Sequence, residues 1–161
     1  MAEVVLEKVS KSFGKKRALK DVDLRIADGE YLVVLGPSGA GKTTLLRTIS
    51  GLLDADGGRI LMDGKDVTHL PADMRQAAFM PQTYSLFPQM TVWENTTFSP
   101  TVKGWPEADR DLLAREMLSM VHLIERPDSY PRELSGGMQQ RCALARALAA
   151  DSEVLLLDEP L

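Results

Sequence analysis

The stretch that most constrains this chain is Gly36-Pro-Ser-Gly-Ala-Gly-Lys-Thr, set between the apolar run Tyr31-Leu-Val-Val-Leu and a helix expected from about Gly41 to Ser50. Its glycines let successive backbone N–H groups turn inward without Cβ clashes, and the following helix adds the positive end of its dipole. A concave row of donors that ends in a lysine is a cradle for phosphate oxygens. Lys42 supplies a point charge for β- and γ-phosphates, and the Thr43 hydroxyl is a hard oxygen ligand for Mg²⁺. Gly36, Ser38, Gly39, Ala40, Gly41, Lys42, Thr43 and Thr44 are therefore the candidate phosphate-binding set. The alternative is an ordinary glycine-rich strand-to-helix turn. A chance match to the whole pattern is expected in well under about 1% of chains this long, so the phosphate reading is preferred.

The 161 residues, 44% hydrophobic and 26% charged, suit one globular domain with its own core. A net charge of −4 supplies no global cationic field, which argues against a nucleic-acid partner. The basic residues between Lys8 and Arg25 alternate with Asp21, Asp23 and apolar positions, as on a solvated strand surface. One cysteine, Cys142, rules out an intramolecular disulfide. No apolar run approaches the roughly 20 residues that span a bilayer, so any membrane role runs through a partner. A cytoplasmic location is the expectation.

Alternation predicts antiparallel strands over Val4 to Val9 and Leu19 to Ile26, with a polar turn at Ser12-Phe-Gly-Lys-Lys between them. Tyr31 to Leu35 reads as a short strand buried on both faces. Further strands are expected at Arg59 to Met62, Ala77 to Met80 and Val154 to Leu157, the last buried and parallel. From Glu107 to Ile124, Leu113, Met117, Met120, Val121 and Ile124 fall at helical spacing and define one buried stripe. An alanine-rich helix is expected from Gly136 to about Ala149. The fold class is α/β: a phosphate-loop core with a mostly parallel sheet, an antiparallel β region at the amino end and a helical insertion.

Val154-Leu-Leu-Leu-Asp-Glu-Pro puts two acids at the carboxyl end of a strand, where ligands gather in open α/β sheets. Asp158 is suited to hold Mg²⁺, and Glu159 to polarise a water in line with a γ-phosphate. Two exposed acids at a strand end would mean little alone; with the phosphate cradle upstream they gain weight.

Leu134-Ser-Gly-Gly-Met-Gln-Gln-Arg adds a second glycine-rich helix start, with Ser135 as a good N-cap and Gly136 and Gly137 exposing amides. This string, between the phosphate loop and the Asp-Glu pair, resembles the signature of the ATP-binding-cassette (ABC) transporter ATPases. The resemblance runs from Val4 to Leu161.

It implies the rest of a site. Phe13, in Val9-Ser-Lys-Ser-Phe-Gly, resembles the aromatic residue that stacks on adenine; without the family it would be a strand-end aromatic packing on the core. Gln82, in Met80-Pro-Gln, resembles the glutamine that reaches Mg²⁺ and links the site to the transport partner. The catalytic set is then Glu159, Lys42 and Gln82, with Thr43, Gln82 and Asp158 at the metal and ATP and Mg²⁺ as ligands. Thr83 to Asn95 resembles the segment that receives a short helix of a membrane permease. Tyr84, Leu86, Phe87 and Pro88 fit either such a groove or the chain's own core equally well.

The resemblance also implies a head-to-tail pair of ATPase subunits, with Ser135 and Gly137 of one facing the γ-phosphate held by Lys42 of the other. A solute-binding protein would take part indirectly, and the ATPase would sit on the inner face of the cell membrane through its permease. The implied division is an ATP-binding core over about 1–80 and 150–161, and a helical subdomain over 81–149. The family continues past Asp158-Glu-Pro with a strand that ends in a histidine; His69 and His122 both precede the acids, so the 161 residues read as a truncated ATPase domain. Alone they are expected to bind nucleotide weakly at best and to hydrolyse it at a negligible rate, and a catalytically incompetent nucleotide-binding or regulatory remnant is the alternative. Asp63-Gly-Lys-Asp-Val-Thr-His-Leu-Pro resembles ATPases of polyamine, sugar, iron and oxyanion importers, whereas Tyr130 to Arg141 leans toward nitrate, taurine and sulfonate importers. Selectivity belongs to the permease and its binding protein.

Overall fold

The computed structural model describes residues 2–159, so Pro160 and Leu161 of the Asp-Glu-Pro-Leu stretch lie outside the described residues. These residues fall into two compact units, one ending at Phe79 and the other starting at Met80.

In the first unit, β1 (Val4–Phe13) pairs antiparallel with β2 (Lys16–Ile26) on one side and with β3 (Gly57–Met62) on the other, and the two-residue β4 (Lys65–Asp66) completes the order β2-β1-β3-β4. Alternation buries Val4 and Leu6, and a register shift between Leu6 and Val9 then restores Val9 to the buried face. Lys15, Lys16, Arg17 and Lys20 stay exposed, as expected of a solvated surface. Helix α1 (Lys42–Ser50) turns Leu45, Thr48 and Ile49 inward and ends at Gly51, whose φ of 79° is left-handed. The expected strand at Tyr31–Leu35 is not formed. No described strand pairs with it, and Tyr31 and Leu35 are each 87% exposed. A run apolar on both faces needs neighbours on both faces to bury it, and the described residues supply none.

Behind α1 sits a side chain that periodicity does not reveal. Arg75, 1% exposed, donates to the carbonyls of Leu70 at 2.7 Å, Thr48 at 2.8 Å, Thr68 at 2.9 Å and Ile49 at 3.2 Å. A cation at a helix carboxyl end satisfies carbonyls that have no partner in the helix. Burial lowers the Arg75 pKa from its ordinary value, and Asp54 opposes that. Gly51 makes room for it, since a Cβ there would stand 2.5 Å from Arg75 Nε. Replacing Arg75 with methionine is expected to cost about 3 kcal/mol in urea unfolding, because several buried carbonyls lose their donor. A loss under about 1 kcal/mol would show that water replaces the guanidinium.

The second unit is mainly helical. α2 (Val92–Val102), α3 (Glu107–Met120) and α4 (Gly136–Leu148) pack around Val92, Met117, Leu118, Val121, Leu123, Leu134, Cys142 and Ala145. α2 is unanticipated. The stripe expected on α3 is partly corrected: Met120 is 59% exposed, while Leu118 is fully buried. α3 ends at Met120 and His122 stands at φ 56°, yet Val121 and Ile124 of the expected stripe join the core from beyond the helix. Burial pushes the Cys142 thiol up to about 11, leaving it an inert core group. At the start of this unit the Met80 carbonyl, which ends β5 (Ala77–Met80), accepts the Asp158 N–H at 3.0 Å beside β6 (Val154–Leu157). Leu156 is buried there but Leu155 is 39% exposed, so β6 is covered less completely than expected.

Candidate functional site

The glycine-rich loop stands exposed from Gly36 to Ala40, with Gly39 and Gly41 at φ 79° and 99°. Gly41 is required twice over. It is the left-handed N-cap of α1, and a Cβ there would meet the Ala18 carbonyl at 2.6 Å. Lys42 folds back over the loop, and its ammonium donates to the carbonyls of Gly36 at 2.9 Å and Pro37 at 3.1 Å. Lys42 lines an open pocket of about 220 Å³ together with Ala18, Leu19, Leu35, Ala40 and Gly41 among others.

The starts of α1, α2 and α4 differ in a way that bears on ligand binding, while α3 starts uncapped but with Glu107 and Asp109 in its first turn. α2 opens with a capping box, Thr91 accepting from Glu94 N–H and Glu94 accepting from Thr91 N–H. α4 opens on Ser135, whose Oγ accepts from Met138 N–H at 3.3 Å. α1 opens on a glycine, with no side-chain cap and no acid in its first turn. Within its own first turn α1 therefore has neither a side-chain cap nor an acid against its positive dipole, and it lies next to a flexible cationic arm. Thr43 and Thr44 lie in that first turn and are half-buried.

Phe13 ends β1 with 51% of its surface exposed and Lys11 Nζ 5.9 Å from its ring centroid. It does not pack on a core. Asp56 steadies this end of β1, accepting from Lys11 Nζ at 2.8 Å and from Ser12 N–H at 2.7 Å, contacts that lower its pKa.

In the second unit the structure brings Gln82 and Glu159 together: Gln82 Nε2 donates to Glu159 Oε2 at 2.5 Å. Glu159 stands at φ 50°, a costly conformation for a residue with a side chain. Asp158 beside it is 5% exposed, whereas Gln82 and Glu159 are exposed. Ser135, Gly136 and Gly137 lie apart from that pair in the chain, at the start of α4. A Cβ on either glycine would meet nothing within 4 Å, so the fold of this chain does not itself demand glycine there. Of the loop residues, Leu86 packs on the helical core, and Phe87 is half-buried with its ring centroid 4.4 Å from that of Phe98.

Taken by residue type alone, the candidate metal donors Thr43, Gln82 and Asp158 offer hydroxyl, amide and carboxylate oxygens, the hard donors that suit Mg²⁺. Among the described residues no three His, Cys, Asp or Glu side chains converge as a cage.

The profile of the ABC transporter family matches residues 19–161, and the chain belongs to that family. It is 46% identical over 158 residues to the spermidine/putrescine import ATP-binding protein PotA of Aggregatibacter actinomycetemcomitans, covering 98% of this chain and 42% of the relative. It is 50% identical over 157 residues to the sulfate/thiosulfate import ATP-binding protein CysA of Thermosynechococcus vestitus, covering 98% and 47%. The chain thus spans about half the length of these curated relatives. Among solved structures, the ATP-binding cassette MJ0796, a dimer in a post-hydrolysis state bound to ADP and Pi, superposes with a TM-score of 0.87 at 34% identity, over 98% of this chain and 74% of that one. The α/β fold is that of an ABC ATPase. No helix among the described residues is long and apolar enough to cross a membrane.

Three side chains with evident work went unnoticed in the sequence: Arg75, Asn95, whose Oδ1 accepts the Phe87 N–H at 2.9 Å, and Arg146, whose guanidinium donates to the Ser85 and Tyr84 carbonyls. Only Asn95 had a usable signal, since it stands four residues after the Thr91 cap, where a side chain reaches back to the turn before its helix.

Proposed function

We propose that this chain binds Mg-ATP at Gly36–Thr44 and, in its full-length protein, hydrolyses it to energise import through a membrane permease. The observation that carries the reading is the uncapped start of α1 behind an exposed glycine loop, with Lys42 lying across it. Lys42 would exchange its two carbonyl partners for β- and γ-phosphate oxygens, and the loop amides would take the rest. Thr43, Gln82 and Asp158 would hold Mg²⁺, which supplies charge neutralisation on the terminal phosphates when bound. Glu159 Oε2 would accept a proton from the attacking water, and the Gln82 amide would orient that water and the carboxylate. The exposed ring of Phe13 offers a stacking face for adenine.

Ser135, Gly136 and Gly137 would serve the nucleotide of a second subunit, which accounts for open space at glycines that local packing does not require. Tyr84, Phe87 and Pro88 remain the proposed contact with the permease, Leu86 being committed to the core. A place on the inner face of the cell membrane follows from that partner. Import ATP-binding proteins named for spermidine/putrescine and for sulfate/thiosulfate match 98% of this chain at 46% and 50% identity, as expected if selectivity lies in the permease.

The test is Gly137→Asp in the full-length protein. Added carboxylate fits the local space, so the protein should fold and bind Mg-ATP within about twofold of wild type. Phosphate release should fall about 10²-fold, because a like charge faces the γ-phosphate. Unchanged turnover would remove the signature from the site, and a wild-type protein that neither binds nor hydrolyses ATP would overturn the proposal.

A further inference from the structure

The chain just after Gln82 adopts a conformation that must be held. Tyr84 and Ser85 have φ of 61° and 48°, left-handed values that cost a side-chain-bearing residue of order 1–3 kcal/mol each. Arg146, on α4, holds both. Its Nη1 donates to the Ser85 carbonyl at 2.7 Å, its Nη2 to the Tyr84 carbonyl at 3.1 Å, and its guanidinium lies 5.1 Å from the Phe87 ring centroid. Two carbonyls and an aromatic face are a demand that a planar fork meets and an ammonium does not.

A second clamp grips the same segment from α2. Asn95 is fully buried, and its Oδ1 accepts the Phe87 N–H at 2.9 Å. Its Nδ2 donates to the carbonyls of Met90 at 3.0 Å, Phe87 at 3.1 Å and Thr91 at 2.9 Å. Segment 84–91 is therefore fastened to α2 and α4, while Gln82 and Thr83 before it are exposed.

We infer that Arg146 is a positioning residue for ATP hydrolysis, fixing Tyr84 and Ser85 so that Gln82 is presented to Glu159 and follows any displacement of α4. The inference rests on the hydrolysis reading above. α4 begins at the signature glycines, so one rigid helix has the proposed second-nucleotide site at its amino end and the anchor of the glutamine loop in its last turn. Asn95 makes the anchored segment stiff enough to transmit a shift rather than absorb it.

The experiment compares wild type, Arg146→Met and Arg146→Lys in the full-length protein. Hydrogen exchange read by peptide is expected to be at least about tenfold faster over 84–91 in Arg146→Met, with the α3 core amides around Leu118 unchanged as the control for folding. Steady-state hydrolysis should show kcat down about tenfold with KM for ATP within about twofold, the signature of a misplaced group rather than lost binding. Arg146→Lys should fall between, since it keeps charge without the fork. Unchanged exchange over 84–91 would show that Arg146 clamps nothing and would overturn the inference whatever the kinetics. Faster exchange with kcat unchanged would overturn it too, leaving Arg146 a purely structural contact. A wild-type protein without ATP hydrolysis would instead sink the reading beneath it, and the positioning role with that reading.

Discussion

A Lys42→Ala variant is expected to lose about 10² to 10³-fold in affinity for Mg-ATP while staying folded. Removing one partner of a charge-assisted contact to phosphate costs about 2–5 kcal/mol. The folded state has little stake in the same side chain. Among the described residues the Lys42 ammonium donates to the carbonyls of Gly36 and Pro37, both exposed, and water can take over there. Stability should therefore change by less than about 1 kcal/mol. The two quantities separate in one titration series: heat of binding for affinity, and circular dichroism against urea for fold. An intact fold with unchanged affinity would remove Gly36 to Thr44 from the nucleotide site. A large loss of stability would mean that Lys42 acts as a strut of the empty loop rather than as a phosphate ligand.

The family was legible because the glycine loop, the Asp-Glu pair and the signature are each a short string whose chemistry dictates residue type and local spacing. Strand pairs were legible for the same reason, since alternation at Val4 and Leu6 is a local signal. What failed was burial that depends on neighbours. Tyr31 to Leu35 has the composition of a doubly covered strand, but composition does not say what covers it, and the structure leaves it unpaired. Met120 and Leu118 are two residues apart on one helix, and which of them faces inward was decided by where α2 and α4 pack.

α2 is a different case. Thr91-Val-Trp-Glu is a capping box in plain sight, but Asn95, Thr96 and Thr97 are fully or nearly buried and Pro100 sits inside the helix. Its polar residues face inward because they bond to neighbouring backbone: Thr96 to the Val92 carbonyl at 2.9 Å, Thr97 to the Trp93 carbonyl at 3.0 Å, and Asn95 to the preceding loop. Hydrophobic periodicity cannot find a helix stabilised this way. Arg75 escaped for a related reason. Its partners are backbone carbonyls, which carry no mark in the sequence, and a lone arginine reads as surface.

Glu159→Gln is expected to leave Mg-ATP affinity within about threefold of wild type and to cut turnover by about 10³-fold, within the range of a lost general base. The geometry makes this substitution unusually clean. Glu159 Oε2 is an acceptor for Gln82 Nε2 at 2.5 Å, and a glutamine at 159 keeps a carbonyl oxygen able to accept that same bond. Shape and one hydrogen bond survive; the capacity to take a proton does not. Glu159 is also exposed, so the change should cost little stability, and Asp158 keeps its buried place with its N–H on the Met80 carbonyl. Blocking chemistry while sparing binding should prolong the ATP-bound state. If the bound state pairs two subunits, size exclusion of the full-length variant with Mg-ATP should show a dimer that wild type shows only transiently. Single-turnover phosphate release then separates the alternatives. Hydrolysis within tenfold of wild type would move the proton acceptor to another group, with Gln82 and Glu159 reduced to a structural pair. Loss of both binding and turnover would mean that the carboxylate's charge, rather than its basicity, is what the nucleotide site requires.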